Sequence, residues 1–296
     1  MKFSAWPSVT NSWQQLAEES QHIDAAGWRG IWIGDHFMAN AADNSGPWGE
    51  SWTILAALAA LTRNVRLGTL VTGNTYRHPA VLAKAVAQVD IVSGGRVVLG
   101  MGAGWQENEH VAYGIPYFTV GERLRRLEES IQVIRALFDN QRGDFEGRYY
   151  QLKDAPLAPK PVQAHLPILV GGGGEKVTLR IVAQHADEWN VPGTPELIQQ
   201  KNAVLAEHCR AAGRDPATIW RTGAVQVVQA DDAPASLGRQ GPFVTYKALA
   251  DLKPLVAEYA GAGVDELIVH YNPRRPMDER KAFWTTFLQD VAPEFA

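Results

Sequence analysis

The sequence predicts an α/β fold in which eight βα units close into a barrel, a (β/α)8 TIM barrel with insertion segments at its C-terminal face. Three observations predict it. Short apolar runs alternate with longer amphipathic ones, the pattern of parallel strands joined by crossover helices. Each kind of run occurs eight times. The 296 residues, 46% hydrophobic and 20% charged, suit one barrel domain of roughly 250 residues. A single domain over 1–296 is therefore expected, with insertions near 140–166 and 230–246.

The first strand, Lys2 to Trp6, leads to a helix at Trp13 to Ala26 that Gly27 ends. Gly30 to Gly34 is the second strand, followed by a helix at Ser51 to Thr62 with Asn64 as its expected stop. The third, Val65 to Val71, precedes a helix over Pro79 to Val92, where proline suits the first turn because its missing N–H is not needed there. Arg96 to Met101 pairs with a helix at Gly121 to Phe138, and Pro167 to Val170 with one at Glu175 to Gln184. Glu188 to Val191 leads to Pro195 to Ala212, and Trp220 to Val228 to Leu252 to Ala262, which Gly263 ends. The last unit is Glu266 to His270 with Asp278 to Val291. The glycine stops reflect the left-handed conformation that helix C-termini favour. Asn140 to Leu166 and Ala230 to Tyr246 are long for connections, show no helix of their own, and read as lids or binding segments or else as disordered. No fixed-period repeat occurs, which sets solenoids aside.

Composition narrows the function. A net charge of -4 without any long run of like charge lacks the basic excess that nucleic-acid binding needs. The single cysteine, Cys209, forms no internal disulfide and reads as inert packing in a cytoplasmic protein. The opening MKFSAWPSVT holds no apolar signal region, and the longest purely apolar stretch, Ile54 to Leu61, falls far short of the 18 or so residues of a membrane span. Neither export nor membrane insertion is expected.

In such a barrel, chemistry belongs at the C-terminal ends of the strands. Asp35 and His36 follow the second strand and offer a carboxylate beside an imidazole suited to proton transfer near neutrality. After the fourth, Gly102-Ala103-Gly104-Trp105 lets backbone approach a flat ligand that an indole can cover. It is not a dinucleotide fingerprint, because no third glycine opens a helix and no ribose-binding acid follows. After the fifth, Gly171-Gly172-Gly173-Gly174 runs into Glu175-Lys176-Val177-Thr178 and is expected to open a helix as a phosphate site. His36, His78, His110 and His270 lack metal-ligand spacing, so no metal is expected.

These segments, in this order, resemble the luciferase-like monooxygenase superfamily, and within it the coenzyme F420-dependent oxidoreductases. The carriers are Gly34-Asp35-His36, Arg66-Leu67-Gly68-Thr69, Tyr76-Arg77-His78-Pro79-Ala80, Gly94-Gly95-Arg96, Gly102-Ala103-Gly104-Trp105 with Asn108-Glu109, Gly121-Glu122-Arg123 and Gly172 to Leu179. The resemblance covers nearly the whole chain. It implies a barrel, often a homodimer, holding a deazaflavin or flavin at its mouth, with F420 expected and FMN as the alternative cofactor. It places Asp35 and Asn108 against the tricyclic ring, Leu70 and Val71 behind its plane as a bulge with a non-prolyl cis peptide, and Gly104 with Gly171 to Gly174 on the phosphate. His36 takes the catalytic position near the hydride-carrying centre. Some sugar-phosphate-oxidising relatives have an acid where this chain has Trp105, which leaves Glu107, Glu109 or His36 as proton donor; Glu109 is taken with His36 as catalytic. The function so implied is hydride transfer to or from an unidentified small organic substrate. An FMN-dependent monooxygenase and a non-catalytic flavin-binding protein are the competing readings.

Overall fold

The computed structural model describes residues 1–232 and 243–295. In chain order the strands are β1 (Lys2–Ala5), β2 (Gly30–Ile33), β3 (Arg66–Thr69), its continuation β4 (Thr72–Gly73), β5 (Val97–Gly102), β6 (Arg142–Glu146), β7 (Gln151–Pro156), β8 (Ile168–Gly171), β9 (Glu188–Pro192), β10 (Trp220–Gln229), β11 (Phe243–Tyr246) and β12 (Glu266–Tyr271). The parallel ladder β10-β12-β1-β2-β3-β5-β8-β9 closes where β9 meets β10, Glu188 lying opposite Trp220. That ring of eight is a (β/α)8 barrel. Around it lie α1 (Trp13–Ala26), α2 (Ser51–Leu61), α3 (Pro79–Ser93), α4 (Glu107–Tyr113), α5 (Val120–Asp139), α6 (Thr178–His185), α7 (Pro195–Ala211), α8 (Leu252–Gly261) and α9 (Met277–Thr286).

Local chemistry sets the helix ends. Ser12 accepts from the Gln15 amide while the Gln15 side chain reaches back to the Ser12 amide, a reciprocal box that satisfies two orphan donors. Gly27 ends α1 at a φ of 95°, open to glycine at little cost. Asn64 does not stop α2. That helix ends at Leu61 and Thr62 turns extended, because Arg96 donates to the carbonyls of Ala59, Thr62 and Val65 and occupies the end a glycine-like residue would have closed. The Asn64 amide instead donates to Asp24.

Three further departures concern the loops. The connection at 140–166 contains the antiparallel hairpin β6–β7. The expected insertion at 230–246 contributes β11, which extends the sheet beside β10; residues 233–242 lie outside the described residues. The glycine run does not pass straight into a helix, since a turn at 175–177 precedes Thr178.

Most of the core lies between the strands and the helices. Inside the barrel, Trp32, Val98, Leu169, Ala224 and Ile268 form a compact plug. Below it, the buried Glu266 carboxylate accepts from Ser4, Trp32, Arg29 and Trp220 at 2.6, 3.0, 3.0 and 3.1 Å. Arg66 bridges Glu188 and Glu266. Polar closure therefore sits at the N-terminal end and leaves the opposite mouth to the site.

Candidate active site

The floor of the site is built where the third strand breaks. β3 stops at Thr69, the Leu70–Val71 peptide is cis, and pairing resumes with Thr72 opposite Met101. Thr69 donates to the Gly100 carbonyl at 2.8 Å, and Trp52 donates to Thr72 at 2.9 Å. The bulge thrusts Val71 against neighbouring strands that carry no side chains there. A Cβ on Gly102 or Gly171 would lie 2.7 or 2.9 Å from Val71, and one on Gly100 only 1.9 Å from the Thr69 carbonyl. Gly171 thus serves the bulge as well as the rim.

Above the floor opens a cavity of about 480 Å³, walled by Leu70, Val71, Gly104, Gly172, Gly174, Thr178 and Arg123 among others. Gly104 has a φ of 80°, and a Cβ there would lie 2.9 Å from the Thr75 hydroxyl; at Gly174 one would lie 2.7 Å from that of Thr178. Only part of the expected amide quartet is available. The Gly172 amide donates to the Asn190 carbonyl at 2.8 Å, and Gly171 pairs within the barrel. The amides of Gly173 and Gly174 have no partner among the described residues. Arg123 holds the Gly104 carbonyl at 3.1 Å and lies 4.1 Å over the Tyr117 ring. It supplies a cation to this wall.

His36 enters from the loop after β2. Its Nδ1 lies 2.8 Å from Glu109 on α4, whose carboxylate has no exposed surface. Glu109 also accepts from the Phe37 amide at 2.8 Å and from the Tyr76 hydroxyl. Burial pushes the Glu109 carboxyl up, but its bonds from His36, Phe37 and Tyr76 outweigh that and hold it below the ordinary range. Burial, then the Glu109 carboxylate, pushes the Tyr76 phenol up, so it remains a donor. A carboxylate can only accept. Nδ1 therefore carries the proton, and in the neutral ring Nε2 presents its lone pair.

The other two expected anchors lie behind the wall. Asp35 has no exposed surface and takes a two-pronged contact from Arg77, at 2.6 and 3.2 Å. Arg77 also pairs with Glu50. Asn108 donates to the Ala39 carbonyl and accepts from the Glu109 amide. Both are consumed by protein contacts and neither lines the cavity. Asp35 fixes the loop that carries His36, and Asn108 fixes the first turn of α4. Glu107 is exposed at the start of α4.

The profile of the luciferase-like monooxygenase family matches residues 1–279. The chain belongs to that family. It is an oxidoreductase of the luciferase-like class. It is 30% identical to the F420-dependent glucose-6-phosphate dehydrogenase of Kineococcus radiotolerans, over 94% of this chain and 92% of that one. It is 32% identical to the F420-dependent hydroxymycolic acid dehydrogenase of Mycobacterium tuberculosis, over 75% and 61%. An F420-dependent secondary alcohol dehydrogenase in complex with an F420-acetone adduct superposes over all of both chains, with a TM-score of 0.86 and 18% identity.

In this luciferase-like oxidoreductase His36, Leu70, Val71, Gly104, Gly171, Gly172 and Gly174 line one cavity, and Glu109 meets it through His36. Gly173 stands between lining glycines, against Val191. Thr178 was read with Lys176 as an addition to the phosphate site; Arg123 and Tyr76 were not singled out as site residues, although each lies in a segment that carried the resemblance. Their signal was position beside those motifs, not side-chain type. Among the described residues no group of three or more metal-binding side chains occurs, and no helix is long and apolar enough to cross a membrane.

Proposed function

We propose that the chain is a coenzyme F420-dependent oxidoreductase, transferring a hydride between the deazaflavin and a small organic substrate. One observation carries the reading: His36, held by Glu109, lines a cavity whose floor is the Leu70–Val71 bulge. The fit of the cofactor rests on that floor and on the rim. Leu70 and Val71 offer an apolar plane for a tricycle. Gly104, Gly172 and Gly174 keep the rim free of side chains, and Thr178, Arg123 and the amides of Gly173 and Gly174 suit an anionic tail. When bound, the deazaflavin supplies or accepts the hydride. The protein positions the reactants in an apolar pocket, and His36 Nε2 takes or returns the substrate proton while Glu109 holds the ring in the required tautomer.

The proposal extends to a homodimer acting in the cytoplasm, on the family resemblance and the lone buried Cys209. Sedimentation of the purified protein tests the first. Separate titrations with F420 and FMN, followed by cofactor fluorescence, test the cofactor. F420 is expected to bind at least tenfold more tightly. Tighter FMN binding, with oxygen consumed by the reduced complex, would refute the reading in favour of a monooxygenase.

A further inference from the structure

A second cavity of about 490 Å³ adjoins the first, and Trp6, His36, Leu70, Trp105 and Pro192 line both. Its own wall comes from the loops after β1 and β2 and from β10 and β12, including Trp48, Gln226 and His270. His36 therefore stands at the junction of two bays, one floored by the bulge and one walled by indoles. We propose that the second bay binds the substrate, and that the substrate is an uncharged, largely apolar alcohol or carbonyl compound and not a phosphorylated one. This rests on reading the first bay as the cofactor seat.

The charge of the wall carries the argument. Among the described residues, the lining of the second bay includes no lysine, arginine, aspartate or glutamate; its ionisable side chains are His36 and His270. The imidazole of His270 is engaged through Nδ1 by the Trp6 carbonyl at 2.7 Å, and burial pushes its pKa down. It is neutral at physiological pH. Arg123 and the glycine loop, the groups that suit an anion, line the first bay and not the second. A phosphate placed in the second bay would give up its hydration without an opposing charge, which is costly.

The remaining wall is suited to a neutral guest. Trp6, Trp48 and Trp105 present three indoles, whose faces take flat or aliphatic surfaces. The Trp48 indole nitrogen is buried and has no partner among the described residues, a donor whose satisfaction by a ligand oxygen would recover a desolvation cost. Gln226, opposite His270 in the ladder, has a side-chain amide with no partner among the described residues. These groups recognise a hydroxyl or carbonyl oxygen without requiring charge. A bay so lined suits a substrate other than the glucose 6-phosphate that the name of one relative specifies.

The test uses purified protein without cofactor and follows the quenching of tryptophan fluorescence by 1-phenylethanol, acetophenone and glucose 6-phosphate. The two neutral compounds are expected to bind saturably and at least tenfold more tightly than the sugar phosphate. Trp48→Phe, which keeps a ring and removes the donor, is expected to weaken acetophenone binding about threefold or more. Trp48→Ala should weaken it further, while F420 affinity stays within twofold. Tighter binding of glucose 6-phosphate, or no saturable binding of either neutral compound, overturns the proposal. F420 affinity is measured separately on the same samples. Neutral ligands that bind a protein with no F420 affinity would support this bay and refute the cofactor reading; the reverse would refute the bay alone.

Discussion

His36 and Glu109 divide one task. In the proposed reaction the imidazole would exchange the proton, and the carboxylate, with no exposed surface, fixes which nitrogen is available. General acid–base groups contribute about 10²–10⁴-fold. His36→Ala is expected to lower kcat by about that factor while F420 affinity stays within a few fold, as steady-state kinetics and fluorescence titration would show; unchanged kcat would refute the assigned role. Glu109→Gln removes the charge that selects the tautomer and is expected to lower kcat by about 10-fold or more. His270 supplies a pH prediction. Burial lowers its pKa in the fold, so the unfolded chain binds the proton more readily. Its contribution to stability is complete above the unfolded histidine value of about 6.5 and is lost as pH falls below that, toward the depressed folded value. His185, also lowered chiefly by burial, acts in the same direction. Thermal unfolding across this range should show Tm falling with pH, and His270→Gln should flatten part of the fall. A variant whose Tm profile parallels that of the parent would exclude His270 as a contributor.

At the scale of elements, Arg96 joins two helices and a strand. It donates to the carbonyls of Ala59 in the last turn of α2, of Thr62 and Val65 just beyond it, and of Ser93 at the end of α3. Arg96→Met strands several helix-end carbonyls and should cost about 2–3 kcal/mol, since bonds to charged groups contribute about 1.5–3 kcal/mol; denaturant titration measures it. The same residue shows where sequence reading loses detail. The strand and helix order was legible because period and punctuation are local. The end of α2 was not, because its carbonyls are satisfied by a side chain more than 30 positions away. The hairpin β6–β7 was missed for a related reason: its exposed strands alternate weakly, with charged residues on much of their surface. The three-residue delay before α6 was equally hidden, because glycine and threonine both permit an earlier start. The partners of Asp35 and Asn108, Arg77 and the Ala39 carbonyl, were hidden too, because they meet them only through the fold.

For the whole molecule, the N-terminal end of the barrel is gathered around the Glu266 carboxylate, with Glu188 joined to it through Arg66. Glu266 gathers groups from β1, β2 and β10 and from Arg29, and it faces Arg66 on β3. Glu266→Gln removes the charge that opposes those arginines in a buried setting, where breaking a pair costs about 3–5 kcal/mol. Partial exposure of Arg29 places the expectation at the lower end, about 3 kcal/mol. Chemical denaturation should register that loss while F420 affinity, measured at the opposite mouth, remains unchanged. An equal loss of cofactor binding would refute the separation of the two ends.

The contact between Val71 and its glycines makes bay depth a property of backbone atoms in neighbouring strands. A methyl group added at Gly100, which does not itself line the cavity, would press on the Thr69 carbonyl and on that valine, so the adjustment would raise the seat from below without altering any residue at the rim. Ligand fit in this enzyme can therefore be changed from beneath the pocket, at positions that a survey of ligand contacts alone would pass over.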